Sequence, residues 1–107
     1  RARELVERHK ELLSIEVLQQ ADLKQLGLNL LNAVGQGASV PPRLVIIQYN
    51  GNPESQDRVA LIGKGITFDT GGMNMKPTGS IEDMYMDNGG AAAVLGTLKA
   101  AAGKLLQ

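Results

Sequence analysis

The sequence contains no cysteine and no tryptophan, and it has only one phenylalanine and two tyrosines. The absence of cysteine excludes a disulfide framework, a thiolate metal site and a cysteine nucleophile. There is no excess charge of either sign, since 11 Lys and Arg balance 11 Asp and Glu. The chain therefore lacks the long-range attraction on which nucleic-acid-binding and polybasic membrane proteins depend. Neither nucleic acid nor membrane is an expected partner.

Long hydrophobic runs are also missing. No apolar run approaches the roughly 18–20 residues that a membrane-spanning helix needs, and no signal core follows the amino terminus. We therefore expect a soluble, cytoplasmic protein. The 107 residues suffice for one domain and are too few for two, so a single domain over residues 1–107 is predicted. Because the chain begins with Arg1 and not with methionine, we expect a piece of a longer protein.

The first third of the chain alternates between helical and strand patterns. Residues 1–13 have the spacing of an amphipathic helix, and Ile15 and Val17 fit a short strand. Asp22 is predicted to cap a brief helix that ends at Gly27. This part of the sequence indicates an α/β protein.

Two later apolar runs, residues 44–47 and 59–62, predict strands that are covered on both faces. The linker between them is too short for a crossover helix, so we expect antiparallel neighbours in an otherwise parallel sheet. Asn88 is predicted to cap a final helix through residue 105. The predicted fold is α/β, with a mixed, mostly parallel sheet and flanking helices.

Residues 63–90 have a different composition, with 7 glycines in 28 residues and almost no periodic pattern. A loop of this length is usually functional. Lys64 follows an apolar strand, at the edge where open α/β sheets bind ligands. Asp69 and Asp87 have apolar neighbours, where an unpaired charge is costly, so each carboxylate needs a partner. A metal ion is one candidate, and ion pairs with Lys64 or bonds from backbone amides are the other.

Glycines beside a lysine also bind phosphate, but the order of residues here is wrong. Lys64 is followed by Gly65 and Ile66, whereas a phosphate-binding loop needs Gly-x4-Gly-Lys-[Ser/Thr] before a helix. No nucleotide site is expected. Glu82 and Asp83 are interpreted as exposed loop carboxylates.

Three stretches of the chain carry a specific family pattern. They are Ala33-Val-Gly-Gln-Gly-Ala-Ser-Val-Pro-Pro-Arg-Leu44, Gly63-Lys-Gly-Ile-Thr-Phe-Asp-Thr-Gly-Gly72 followed by Lys76, and Met86-Asp-Asn-Gly-Gly-Ala-Ala-Ala-Val-Leu-Gly96. In residue type and spacing they resemble the catalytic domain of the leucyl (cytosol) aminopeptidases. The resemblance implies a homo-hexameric, two-metal exopeptidase that uses zinc or manganese. Its substrates are peptides with a free amino terminus, from which it removes N-terminal residues, often leucine.

The resemblance also implies a role for four residues. Lys64 ligates one metal ion, Asp69 is shared by both ions, and Asp87 is a further ligand of the ion that Lys64 binds. Lys76 is the catalytic lysine that polarises the substrate carbonyl. A lysine amine binds a metal only when it is neutral, so Lys64 is expected to lose its proton while Lys76 remains an ammonium.

The sequence departs from the family in two ways. The family has a second ligand stretch, Asn-Thr-Asp-Ala-Glu-Gly-Arg, which these 107 residues do not contain, and Asn88 stands where the family usually has methionine. We therefore expect a truncated catalytic domain that binds at most one metal ion weakly, self-associates and is inactive alone. The alternative is a non-catalytic α/β module used for binding or assembly.

Overall fold

A computed structural model describes residues 1–103 of the chain. The chain forms two compact units, the first of which is Arg1–Gly51, while the second begins at Asn52. The single domain over residues 1–107 stays a prediction.

The first unit combines three short helices with two strands. In chain order its elements are α1 (Ala2–Arg8), β1 (Leu13–Leu18), α2 (Gln20–Gln25), α3 (Asn29–Gly35) and β2 (Leu44–Tyr49). The strands β1 and β2 pair in an antiparallel ladder that begins with Leu13 opposite Tyr49 and ends with Leu18 opposite Leu44. Val6 of α1, Leu13 of β1 and Leu23 of α2 are buried and form the core of this unit.

The ends of α2 follow from its sequence. The Asp22 carboxylate accepts a 2.7 Å hydrogen bond from the Gln19 amide, which precedes the helix. Asp22 therefore helps to cap the helix from its first turn, whereas the capping residue itself is Gln19, three residues before the predicted position. Gly27 follows the helix with a φ of 70°, as expected of the glycine that ends it.

The first helix is shorter than the predicted span of residues 1–13. It ends at Arg8, and the next residues form a turn in which the Leu13 amide donates to the His9 carbonyl. Leu13 then begins β1 and is buried. Pairing in the sheet overrides the helical spacing of residues 9–13, because burial in tertiary structure outweighs local propensity.

The second unit contains a 3-10 helix, Glu82–Tyr85, and the long helix α4, Gly89–Ala102. Asn88 is the residue before α4, as predicted, although its side chain makes no capping hydrogen bond. The predicted end of this helix at residue 105 lies outside the described residues. Among the described residues of this unit, Ala102 is buried.

The strand predicted at residues 59–62 is wrong for the described part of the chain. The sheet has two strands, β1 and β2, and residues 59–62 have no regular secondary structure. Val59 and Ile62 are 87% and 95% exposed. The apolar run is suited to burial on both faces, but strand formation depends on neighbours to pair with and pack against. The apolar run shows that the segment is suited to burial, but it does not show whether a neighbouring strand is present to pair with it.

The α/β class is confirmed, since helices and strands are mixed along the chain. The one strand pair formed by residues 1–103 is antiparallel, so the mostly parallel sheet is not seen. Within these residues, no helix combines the length and the apolar character that crossing a membrane requires.

Candidate functional site

The loop before the 3-10 helix reverses direction, which brings Lys76 back to Asp69. Gly71 and Gly72 have φ values of 74° and 130°, a backbone region that side chains rarely adopt. The Thr70 carbonyl accepts a 3.3 Å hydrogen bond from the Lys76 amide across this turn. The glycines thus permit a compact loop in which residues seven apart in sequence become neighbours.

Asp69 is the centre of the site because both lysines of the loop contact it. The Lys64 ammonium donates a hydrogen bond to Asp69 Oδ2 and forms an ion pair with it. The Lys76 Nζ lies 3.5 Å from the same oxygen. The Gly71 amide donates to the other oxygen, Oδ1, at 2.8 Å. Two lysine ammonium groups and one backbone amide therefore surround the Asp69 carboxylate.

These contacts change the proton affinities of the pair. The hydrogen bond from Lys64, assisted by that from the Gly71 amide, lowers the pKa of Asp69 from 3.8 to about 2. The same hydrogen bond to Asp69 raises the pKa of Lys64 above its usual 10.5, and the negative charge of Asp87 contributes in the same direction. At neutral pH the site therefore holds an ionised carboxylate and an ammonium.

Lys76 is held more firmly than Lys64, since its side chain is 26% exposed whereas that of Lys64 is 56% exposed. Its ammonium donates to the Asp69 carbonyl oxygen at 2.6 Å and contacts the Met84 sulfur at 3.1 Å. Met84 belongs to the 3-10 helix, so this helix and the main chain at Asp69 together orient the Lys76 ammonium.

Asp87 approaches the site from the start of α4. Its Oδ1 accepts a 3.5 Å hydrogen bond from the Gly89 amide, and its charge acts on Lys64. Among residues 1–103, Asp87 forms no salt bridge. The Lys64 carbonyl accepts a 3.0 Å hydrogen bond from the Ala91 amide in the first turn of α4. The Lys64 backbone and the residues that follow Asp87 are therefore in direct contact.

The donor set fits a divalent metal ion by its chemistry. It would consist of the Lys64 amine and the carboxylates of Asp69 and Asp87, which are nitrogen and oxygen ligands suited to zinc or manganese. In the described part of the chain, no three His, Cys, Asp or Glu residues are grouped so that they could hold a metal. A metal site here would consequently depend on the lysine amine, which is paired with Asp69 in this structure.

Of the four residues singled out in the sequence, Lys64, Asp69 and Lys76 come together, and Asp87 lies close enough to act on Lys64. Their assigned roles stay predictions. The alternative in which Lys64 pairs with Asp69 describes the ion pair that is present. Glu82 and Asp83 are exposed, as expected, but they lie in the 3-10 helix and not in a loop. The contact of Met84 with Lys76 was missed, because a methionine eight residues further on gives no signal before the 3-10 helix is known.

Comparison with known proteins gives a consistent result. Residues 1–107 match the model of the cytosol aminopeptidase family, catalytic domain. A probable cytosol aminopeptidase of Pseudomonas fluorescens (strain Pf0-1) is 52% identical over 88 residues, which are 82% of this chain and 18% of that protein. One of Geobacter sp. (strain M21) is 50% identical over 101 residues, 94% of this chain and 20% of that protein.

A solved structure is also similar. The bottromycin maturation enzyme BotP, in complex with Mn, superposes with a TM-score of 0.74 and 41% sequence identity. The superposition covers 97% of this chain and 22% of BotP. The present chain thus spans about a fifth of the length of the proteins that it resembles.

Proposed function

Because this chain belongs to the cytosol aminopeptidase family, we propose that it carries part of the active site of a metal-dependent aminopeptidase. The activity is hydrolysis of N-terminal residues, often leucine, from peptides. The observation that carries the proposal is the convergence of the Lys64 and Lys76 side chains on Asp69, with Asp87 beside Lys64.

In this proposal the residues divide into metal ligands and a catalytic cation. Lys64, Asp69 and Asp87 would hold divalent metal, and Asp69 would serve as the ligand common to both ions of a two-metal site. When bound, such ions polarise a carbonyl and generate a nucleophile at neutral pH. Lys64 contributes its amine lone pair and must give up its proton. Its contact with Asp69 favours the ammonium, so metal binding competes with a proton at Lys64 Nζ.

Lys76 remains charged and stabilises the negative charge that develops on the substrate carbonyl oxygen. Its hydrogen bond to the Asp69 main chain and its contact with Met84 hold the ammonium without neutralising it. An ammonium oriented before the reaction costs little reorganisation in the transition state. In the metal-loaded site, Lys64 would therefore be a neutral amine that binds metal, whereas Lys76 would be an ammonium that stabilises negative charge.

These 107 residues do not contain the second ligand stretch that the family resemblance implies. We propose that a chain of these residues alone binds at most one ion weakly and does not turn over substrate. In the complete catalytic domain, a mixed, mostly parallel sheet with flanking helices is proposed. The Mn in BotP supports manganese as a suitable metal, with zinc as the other candidate.

The relatives' name supports a cytoplasmic location. Peptides with a free amino terminus are the proposed substrates, and homo-hexamers the proposed assembly of the complete protein. Neither nucleic acid nor membrane is a proposed partner.

Activity of the protein that contains this chain tests the proposal. With manganese and an N-terminal leucyl substrate, we expect Lys76→Met to lower kcat by about 10²–10³, the usual cost of removing a charge-stabilising donor. Lys99→Met, in the last turn of α4, removes an equal charge outside the site and is expected to retain activity. Equal rates for the wild type and Lys76→Met would contradict the assignment of Lys76, and an inactive wild type would contradict the function.

A further inference from the structure

The backbone of residues 63–65 lies directly against the first turn of α4, and glycines permit this contact. A Cβ on Gly90 would lie 2.9 Å from the Lys64 amide nitrogen and 3.2 Å from its carbonyl oxygen. A Cβ on Gly63 would overlap the Gly90 carbonyl oxygen and come within 2.8 Å of Val94 Cγ2. The hydrogen bond from the Ala91 amide to the Lys64 carbonyl joins the same two segments.

The atoms that a side chain at Gly90 would meet belong to the main chain. A flexible side chain could rotate away from a new methyl group, but the Lys64 backbone can respond only by moving. Other glycines of the helix differ in this respect, since a Cβ on Gly96 would meet nothing within 4 Å. The close approach is therefore specific to the point where Lys64 contacts the start of α4.

We propose that Gly63 and Gly90 are positioning residues for metal binding, because their contact fixes the Lys64 amine relative to Asp87. This inference rests on the proposed function. Asp87 lies three residues before Gly90 and leads into the same helix turn. Asp69 is joined to Lys64 by the ion pair. The backbone contact thus holds the Lys64 main chain beside the residues that follow Asp87, and a separate side-chain contact joins Lys64 to Asp69.

A methyl group at position 90 moves residues 63–65 away from the helix start, which separates the Lys64 amine from Asp87. Supporting contacts of metal ligands typically change metal affinity by about 10- to 100-fold. We expect a loss of this size, without loss of the fold, because α4 itself accepts alanine more readily than glycine.

Mn²⁺ affinity is the direct test, measured by electron paramagnetic resonance as the loss of the free-ion signal on titration into the metal-free protein that contains this chain. Gly90→Ala and Gly63→Ala are expected to weaken binding about 10- to 100-fold. Gly96→Ala makes the same substitution in the same helix and is expected to bind like the wild type. Hydrogen exchange of the Ala91 amide, measured without metal, is expected to accelerate in the first two variants only.

A second background separates positioning from general damage. In a Lys64→Met protein the amine is gone, so Gly90→Ala is expected to cause no further loss of Mn²⁺ affinity. A merely structural role for Gly90 would weaken binding equally in both backgrounds, since the distortion would then act through Asp87 or the helix.

Wild-type affinity in Gly90→Ala, or an equal loss in the Lys64→Met background, would overturn the inference while the proposed function stands. A wild-type protein that binds no Mn²⁺ would overturn the proposed function and this inference with it. Failure of this inference would be seen in the Gly90→Ala variants, and failure of the proposed function in the wild type, so the two are distinguishable.

Discussion

At the scale of single residues, the charges of Lys64, Lys76, Asp69 and Asp87 sum to zero when all four are ionised. If a divalent ion enters and Lys64 loses its proton, the local charge rises by one and not by two. Replacing an ammonium by a metal ion therefore costs less electrostatic repulsion than adding the ion to a fully charged site. Under the proposed function, metal binding would therefore replace the ion pair between Lys64 and Asp69.

The pKa of Asp69 gives the first prediction. Lys64→Met removes the main cause of its depression, so we expect the pKa to rise from about 2 toward 3.8. A carbon-detected NMR titration of the aspartate carboxyls measures this shift. Lys99→Met is the control, because within residues 1–103 the charges that act on Asp69 are those of Lys64 and Lys76.

The same depression has a consequence for stability. A carboxylate whose pKa is lower in the folded state stabilises the fold above its unfolded pKa, and this contribution is lost as the pH falls through its folded pKa. For Asp69 the window lies between 3.8 and about 2. In Lys64→Met the loss of stability across that window is expected to shrink. An unchanged Asp69 titration in this variant would show that the ion pair is absent in solution.

Metal binding is predicted to depend on pH through Lys64. The pKa of its amine is raised, so the ammonium is the form present at neutral pH, and coordination must release a proton. Mn²⁺ affinity is therefore expected to increase from pH 6 to pH 8, as calorimetric titration at both values would measure. Lys64→Met should bind more weakly and with a smaller pH dependence, and an equal dependence in that variant would exclude Lys64 as the source of the proton.

Sequence reasoning singled out residues that come close together in the structure, but it did not predict all of their contacts. Lys64, Asp69, Lys76 and Asp87 carry a family pattern whose residue types and spacing are specific. Composition alone left a metal site and an ion-pair network as alternatives, because both use the same side chains. The contact of Lys76 with Met84 depends on the turns that residues 77–84 form, and this stretch has no periodic pattern from which its path could be predicted.

At the scale of secondary structure, the strand predictions succeeded in the first unit, where the two strands pair with each other. The strands near Ile15 and at residues 44–47 were predicted and are present as β1 and β2. The partner was not predicted, since β2 pairs with β1 and not with residues 59–62. Strand pairing depends on two segments, whereas an apolar run describes the composition of a single segment.

Burial at α2 leads to a prediction about stability. Leu23 is fully buried, whereas Leu30 of α3 is 84% exposed. Leu23→Ala is expected to lower the free energy of unfolding by about 2–5 kcal/mol, because it removes buried methyl groups and leaves a cavity. Leu30→Ala is expected to change it by less than about 0.5 kcal/mol. Urea denaturation compares the two, and equal costs would contradict the assignment of Leu23 to the core.

At the scale of the whole molecule, the chain spans about a fifth of its relatives' length, and it exposes apolar residues around the site. Val59 and Ile62 lie in a segment without regular structure, and their exposed apolar side chains favour association with another strand. The molecule's exposed surface is thus consistent with a part of a larger catalytic domain.

Self-association of the 107-residue chain is the prediction that follows. In sedimentation velocity over a concentration series, we expect the wild type to form larger species as its concentration rises. The double variant Val59→Lys, Ile62→Lys places charges on the exposed segment and is expected to reduce association. Val40→Lys changes another exposed valine and serves as the control. A wild type that stays monomeric at all concentrations would contradict this account of residues 59–62.

The central claim is that Asp69 binds divalent metal together with Lys64 and Asp87, and one Mn²⁺ titration by electron paramagnetic resonance tests it most directly. Asp69→Asn removes the charge of the shared carboxylate with little change in volume, while Asp57→Asn makes the same substitution at an exposed position of the second unit. We expect the wild type and Asp57→Asn to bind Mn²⁺ with equal affinity, and Asp69→Asn to bind at least about tenfold more weakly. Equal affinity in all three proteins would contradict the claim.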